Sequence, residues 1–376
     1  MKKIIFTLLI FLIICYAGTS QERSISCGSE IFNAQWEYEF QSMVEDFKTS
    51  RKNSIQDDNH TYVIPVIFHV IHGGQAVGVY PNIDSSQIYS QIEVINQDFN
   101  GIGLNVDSYP DTAFTNWVIN QALASSSIDD LGRVKIASLN VTFCAASKDT
   151  SGNPLAEPGI NRINYNSLSI PNPASFVSET DFDNYLKTDL KPLTIWDPKK
   201  YFNIWITDKH ADFPHGGIAT GPPLSGLPGP GVGGTDSTDG VWVYSKAIGS
   251  YLIYPQGTYF NNFIRGRILT HEAGHWLGLY HPNGFGTCGT DYCDDTPPAA
   301  SQHQGNPQYP HNPGSCSNPS NYPDGEMFMN FMDYTAEPYR YMFTQDQVIR
   351  MQTAMLNSPN RNLLGTHDLC SDNPLS

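Results

Sequence analysis

Between residues 271 and 281 the chain reads His-Glu-Ala-Gly-His-Trp-Leu-Gly-Leu-Tyr-His, which gathers three imidazoles and one carboxylate in eleven residues. Histidines four apart on a helix stand one turn above each other, so His271 and His275 can grip one ion. Ile264 and Ile268 lie seven and three residues before His271 and extend the same stripe, which predicts a helix through both histidines. Neutral imidazole suits zinc, and a catalytic zinc takes three protein ligands while keeping one position open. Gly278 can adopt the left-handed conformation that ends a helix, turning the chain so that His281 returns as the third ligand. Glu272 follows a ligand without being one. A carboxylate there can take a proton from a metal-bound water, whose pKa zinc lowers to about 7, and pass it to a leaving amine. The chemistry implied is hydrolysis of a peptide bond. A bare HExxH arises by accident on many helices; demanding a Gly and a third His at set offsets lowers the chance expectation to the order of 10⁻⁵ to 10⁻⁴.

The chain around this motif has 376 residues, 40% hydrophobic and 12% aromatic, enough for a real core and incompatible with a disordered chain. Its 37 Asp+Glu outnumber 21 Lys+Arg. That acidic excess argues against nucleic-acid or anionic-membrane partners and suits hard cations. Met1-Lys2-Lys3, the apolar run from Ile4 to Ala17 and the small residues Gly18-Thr19-Ser20 predict a secretory signal over 1–20. The apolar run is too short to span a bilayer and no later stretch is long enough, so the mature protein is expected to be exported and off the membrane. Attachment of lipid at Cys15 fits less well, because Ile14 is bulky where such sites carry small residues. Of seven cysteines, six remain after the signal, too sparse for a disulfide scaffold, and the absence of a CxxC pair argues against a cysteine-built zinc site.

Several elements must hold the motif in place. Trp36, Phe40, Met43, Val44 and Phe47 predict a helix in a segment, 21–58, set apart from the main domain. Lys48 to Ser54 reads as an exposed linker open to proteolysis. Tyr62 to Ile71 is a β-branched run that predicts a buried strand. Asp84 to Gln87 reads as a capping box ahead of a helix with Ile88, Ile92, Ile95 and Phe99 on one face. Leu139, Val141 and Phe143 predict a half-buried strand and Tyr201 to Ile206 another. Residues 208–240, rich in Gly and Pro, read as irregular surface loops. A second capping box, Thr344 to Gln347, precedes Val348, Met351 and Met355 and predicts a C-terminal helix beneath the site. Strand, helix and strand followed by loops and isolated helices imply an α/β half stacked on an irregular half.

Read without relatives, Met332 and Tyr334 are ordinary core positions, and Cys27 is a thiol or a disulfide partner. The carboxylates of Asp291, Asp294 and Asp295 suit either an oxygen-ligated calcium or a solvated turn. The succession HEAGHWLGLYH, DYCDDTP (291–297) and NFMDY (330–334), with YFNIWI and DGVWVY upstream, resembles the metzincin zinc proteases and is most similar to the bacterial pappalysins over roughly residues 60–356. The resemblance implies an α/β (α+β) metzincin-like fold. A twisted mixed sheet and the active-site helix would form an N-terminal subdomain, and a Met-turn and C-terminal helix an irregular C-terminal one. It divides the chain into a signal peptide (1–20), a prosegment (21–58), a catalytic domain (59–365) and a C-terminal tail (366–376). The implied protein is a secreted zinc endopeptidase acting on proteins or peptides and made as a latent proenzyme, with its own prosegment as inhibitor.

In that picture His271, His275 and His281 bind zinc, Glu272 is general base and acid, Tyr334 stabilises the oxyanion and Met332 floors the site. Cys27, after Arg23, resembles a cysteine switch in which a thiolate displaces the catalytic water. Asp291 and Thr296 would contribute to a calcium site, and Cys288 with Cys316 to a disulfide, leaving Cys293 to pair with Cys144, Cys370 or Cys316. Gly216 to Thr220 looks like the edge strand that pairs with extended substrate. Glu337 is a candidate for pocket charge, and a preference for Arg would make Arg51 a self-processing site. The other histidines, His60, His69, His72, His210, His215, His303, His311 and His367, are expected not to bind metal, with His210 or His215 bordering the cleft. The competing readings are a zinc protease with a remote Glu ligand, and a non-catalytic secreted metal-binding adhesion or carbohydrate-binding module.

Overall fold

The β-branched run opening at Tyr62 forms an 11-residue strand paired on both sides in a computed structural model, which describes residues 26–28, 33–53, 61–102, 136–231, 234–261, 263–308, 311–317 and 325–370. The signal 1–20, Arg23, residues 54–60 and the end of the tail from 371 lie outside the described residues. In chain order the elements used below are β1 (Ser26–Cys27), α1 (Ala34–Asn53), β2 (Tyr62–His72), α2 (Ser85–Phe99), β3 (Val141–Ala145), β4 (Ile160–Asn164), α3 (Glu179–Tyr185), β5 (Phe202–Thr207), β6 (His215–Ala219), β7 (Val241–Tyr244), α4 (Arg267–Trp276) and α5 (Gln345–Asn357). The strands form one mixed sheet in the order β1-β6-β7-β5-β2-β3, with β4 beside the second half of β2. All pairs are parallel except β6 with β7. A parallel strand paired on both sides is covered on both faces, which is why β2 and β5 are continuous apolar runs with no alternation.

Helix α2 packs beside α4, covering the β3 side of the sheet while α4 lies against β6 and β7. Ile88, Ile92, Ile95 and Phe99 enter the main core as their spacing predicts. Asp84 caps the helix by accepting from Ser86 N at 2.8 Å, but Gln87 does not complete a capping box. Its side chain binds Ile248 O, Thr258 O and Thr258 N, tying α2 to the approach to α4. The second capping box does close, with Thr344 and Gln347 bonding reciprocally at the start of α5.

Three expectations about the periphery are corrected. Helix α1 of the 21–58 segment is not set apart: its Trp36, Phe40 and Val44 are fully buried against Leu224, Tyr280 and Ala354. The linker after Phe47 is helical through Asn53, with Arg51 Nη1 donating to Gln352 Oε1 at 2.8 Å and Lys48 pairing with Asp346. Packing against α5 supplies partners that a basic, polar stretch lacks by itself. Finally, residues 221–224 are buried, because α1 lies over Pro222 and Leu224, with Trp36 Nε1 donating to Pro222 O at 2.8 Å. At the far end Cys144 is bonded to Cys370 and Ser147 N donates to Leu369 O, so the segment from 366 is tied to β3 as far as residue 370.

Candidate metal centre

Helix α4 has only ten residues, far too few to be stable alone, so its geometry is imposed from outside. Ile264 lies before it; the helical stripe therefore begins at Ile268. At the N-terminus the Glu337 carboxylate accepts from Arg265 N and Arg267 N, both at 2.8 Å, and satisfies backbone donors that the helix leaves unpaired. Glu337 is thus a buried helix anchor and not pocket charge. From α2, Gln91 Nε2 donates to Gly266 O and Asp98 accepts from Thr270 Oγ1. At the other end two buried arginines take the terminal carbonyls. Arg361 donates to Trp276 O and pairs with Asp239, while Arg350 donates to Gly278 O from Nε at 3.2 Å and Nη2 at 3.1 Å. Gly278 sits at φ +92°, the left-handed residue that the turn toward His281 requires.

This frame brings the three histidines together. Their Nε2 atoms lie 3.0 Å (271–281), 3.1 Å (275–281) and 3.2 Å (271–275) apart. His271 Nδ1 is 2.8 Å from Phe331 O and His275 Nδ1 is 2.8 Å from Leu279 O. A carbonyl only accepts, so both Nδ1 atoms carry the proton and the neutral rings turn Nε2 lone pairs toward one point. Burial, then the neighbouring His275 and His281, lowers the His271 pKa well below its ordinary value, which keeps that ring neutral. Converging lone pairs repel unless a cation sits among them. Two nitrogens at zinc-ligand distance on a tetrahedron are about 3.3 Å apart, so the set fits zinc. The Nδ1 contacts are the outer hydrogen bonds that such ligands use to hold their ring orientation.

Around this point stand the other candidates. Glu272 is buried against β6, so closely that a Cβ on Gly217 would lie 2.4 Å from its Cγ. Met332 lies fully buried under the helix, its Sδ 2.4 Å from where a Cβ on Gly274 would be. A side chain at Gly217 would therefore push on Glu272, and one at Gly274 on Met332. The Tyr334 ring is 4.8 Å from that of His281, centre to centre. Its hydroxyl lies 3.3 Å from both the N and the O of Cys27. Cys27 Sγ is 3.5 Å from Glu272 Oε2, and the Cys27 sulfur and three histidine nitrogens all lie within 4.8 Å of one another. Strand β1 delivers that thiol by pairing parallel to β6, with Gly28 N donating to Gly217 O at 3.1 Å. The strand over 216–220 thus has its outer edge occupied by the chain's own N-terminal segment.

The acidic loop folds around a buried carboxylate. Asp291 accepts from Thr296 Oγ1 at 2.7 Å and from Cys293 N at 3.1 Å, and burial pushes its carboxyl up to about 8. Thr296 Oγ1 also lies 2.8 Å from Cys293 O. This cluster of oxygens fits a hard cation, whose charge would offset the cost of burial. Cys288 is bonded to Cys316 and Cys144 to Cys370, so Cys293 has no disulfide partner; it is a buried thiol whose pKa burial raises. His69 is buried between Asn203 and Asn161, and burial holds it down at about 4. His215, at the start of β6, pairs with Glu179.

Sequence reasoning missed three groups. Glu37 on α1 makes a two-pronged ion pair with Arg350, at 2.9 and 3.0 Å, and both side chains are buried. No spacing rule links positions 313 residues apart. Asp239 with Arg361 grips the end of α4 in the same way. His303, read as an unremarkable loop residue, is buried between Asp333 and Glu326.

Comparison with known proteins adds independent information. Residues 185–356 match the profile of a peptidase family, M43, described as pregnancy-associated plasma protein-A. The fold is similar to a promirolysin mutant from Tannerella forsythia, with TM-score 0.60, 27% identity and coverage of 90% of this chain and 96% of that one. It is also similar to mature Tannerella forsythia mirolysin in complex with a cleaved peptide, with TM-score 0.57, 30% identity and coverage of 81% and 95%. An extracellular metalloprotease of Neurospora crassa is 38% identical over 111 residues, 29% of this chain and 36% of that protein. One from Colletotrichum graminicola is 40% identical over 91 residues, 24% and 30% of the two chains. This chain spans about a third of the length of these curated relatives. No helix among the described residues is long and apolar enough to cross a membrane.

Proposed function

Because this chain belongs to the pregnancy-associated plasma protein-A peptidases, family M43, we propose that it is a zinc-dependent endopeptidase, exported and made as a latent precursor. The observation that carries the reading is the convergence of three histidine Nε2 atoms beside the Glu272 carboxylate. Relatives that are proteases by name support it over a non-catalytic adhesion or carbohydrate-binding module, and a nearby third histidine leaves no need for a remote Glu ligand.

His271, His275 and His281 would hold the zinc, which when bound supplies a Lewis acid for a peptide carbonyl and for a water. Glu272 takes a proton on its carboxylate and gives it to the departing amine. It is buried against Gly217, away from bulk water. The Tyr334 hydroxyl donates to the oxygen on which negative charge develops, as it now donates to Cys27 O. The outer edge of β6 offers main-chain groups to an extended substrate, as it now does to β1. Met332 fills the floor under α4 and excludes water.

The same geometry supports latency. The substrate edge and the tyrosine are both occupied by Cys27 and its neighbours, and the Cys27 sulfur stands as a fourth donor beside the three nitrogens. Residues 21–58 would then be the prosegment. Asp291, Thr296 and the Cys293 carbonyl would bind a structural calcium, with the Cys288–Cys316 disulfide closing the loop beside it.

The test is hydrolysis of casein by the processed protein with and without a chelator, together with Glu272→Ala. The variant should keep about one zinc per chain and lose at least 10³-fold in kcat. An unchanged rate in that variant would overturn the mechanism.

A further inference from the structure

His303 makes no contact with the metal centre, yet both of its ring nitrogens are committed to buried carboxylates. Nδ1 bonds Asp333 Oδ2, and Nε2 lies 2.5 Å from Glu326 Oε2. Carboxylates only accept, so a ring bonded to two of them carries protons on both nitrogens. Asp333 is the residue between Met332 and Tyr334. Its Oδ1 accepts from His303 N and from Tyr334 N, both at 2.7 Å, and Arg340 Nη1 donates to its carbonyl at 3.0 Å. Glu326 is fixed in turn by Ala300 N at 2.8 Å and Asn312 Nδ2 at 2.9 Å.

We propose that His303 is a positioning residue for Tyr334: as a cation clamped between Glu326 and Asp333, it fixes the turn that aims the tyrosine hydroxyl at the reacting carbonyl. This rests on the peptidase reading and on the role given there to Tyr334. The titratable groups facing His303 are Asp333, Glu326 and His311. Burial alone would lower its pKa, but the two carboxylates outweigh burial and hold it up at about 9, so the ring is charged at neutral pH.

A rival use of the same residues is a second metal site, because ligand atoms of His303, His311 and Glu326 lie within 4.8 Å of one another. The hydrogen bonds decide against it. With both ring nitrogens of His303 donating to carboxylates, Nε2 has no lone pair left for a metal.

The experiment is a double-mutant cycle on the processed, zinc-loaded enzyme with His303→Gln and Tyr334→Phe, reading kcat, KM and metal content. His303→Gln is expected to lower kcat about 10- to 100-fold, the usual toll of losing an outer hydrogen-bonding partner, with KM within about threefold and zinc content unchanged. In the Tyr334→Phe background the same change should cost less than about threefold, because nothing is left to aim. Equal losses in both backgrounds, a loss confined to KM, or the disappearance of a second metal would each overturn the proposal. If His303→Gln does not fold, Glu326→Gln keeps the hydrogen-bonded shape but removes one charge, and its kcat loss must likewise vanish in the Tyr334→Phe background. A wild-type enzyme that hydrolyses nothing defeats the peptidase reading before any variant is made. Tyr334→Phe with full kcat defeats the role of Tyr334, and the proposal with it.

Discussion

Replacing Glu37 by Gln should loosen the grip of the prosegment without touching the metal centre. The pair it breaks is bidentate, and neither side chain reaches water. Arg350 would keep Gly278 O and the Gln41 side-chain oxygen as acceptors, and its guanidinium would keep the rings of Phe40, Tyr280 and Tyr292 around it. The loss is therefore one charge-assisted hydrogen bond and the neutralisation of a buried cation. It falls below the 3–5 kcal/mol typical of a wholly orphaned buried charge, at about 2–3 kcal/mol. At 1.4 kcal/mol per tenfold, the population with the prosegment undocked should rise about 30- to 150-fold. The assay is the alkylation rate of Cys27 in the intact precursor, compared with and without Glu37→Gln in a Glu272→Ala background that prevents self-cleavage. Cys293 is buried and its thiol pKa is raised, so it stays silent. A rate unchanged within about threefold would refute the reasoning, because it would show that β1 releases Cys27 while α1 remains docked.

Two further outcomes are expected. A Cys27→Ala precursor should hydrolyse casein while N-terminal sequencing still finds the prosegment attached, and a precursor as silent as wild type would exclude latency through this thiol. Calcium at 100 times its dissociation constant should stabilise the zinc-loaded protein by about 2.7 kcal/mol in scanning calorimetry; Asp291→Asn should remove the effect, and a melting temperature indifferent to calcium would rule the site out.

The motif from His271 to His281 was legible because ligand spacing is local: helix pitch places residues four apart on one face, and a glycine at the helix end brings the third histidine round. The strands at Tyr62 and Tyr201 and the helix after Asp84 were legible for a similar reason, since burial imposes a period on neighbouring residues. Peripheral readings failed where a distant partner overrides local character. Lys48 and Arg51 look like linker residues until α5 supplies Asp346 and Gln352. Residues 221–224 look like surface loop until Trp36 and Phe40 cover them. Glu337 looks like spare charge until it meets the first amides of α4.

What the sequence determined alone was a set of donors able to hold a metal, a carboxylate beside them, and the strands and helices with a strong enough period to declare themselves. Which charges face each other was decided only by the tertiary structure. Glu37 with Arg350, Asp239 with Arg361 and His303 between two carboxylates are pairings across 23 to 313 residues. Their value comes from burial at a common point, a property of the folded arrangement that leaves no periodic trace along the chain.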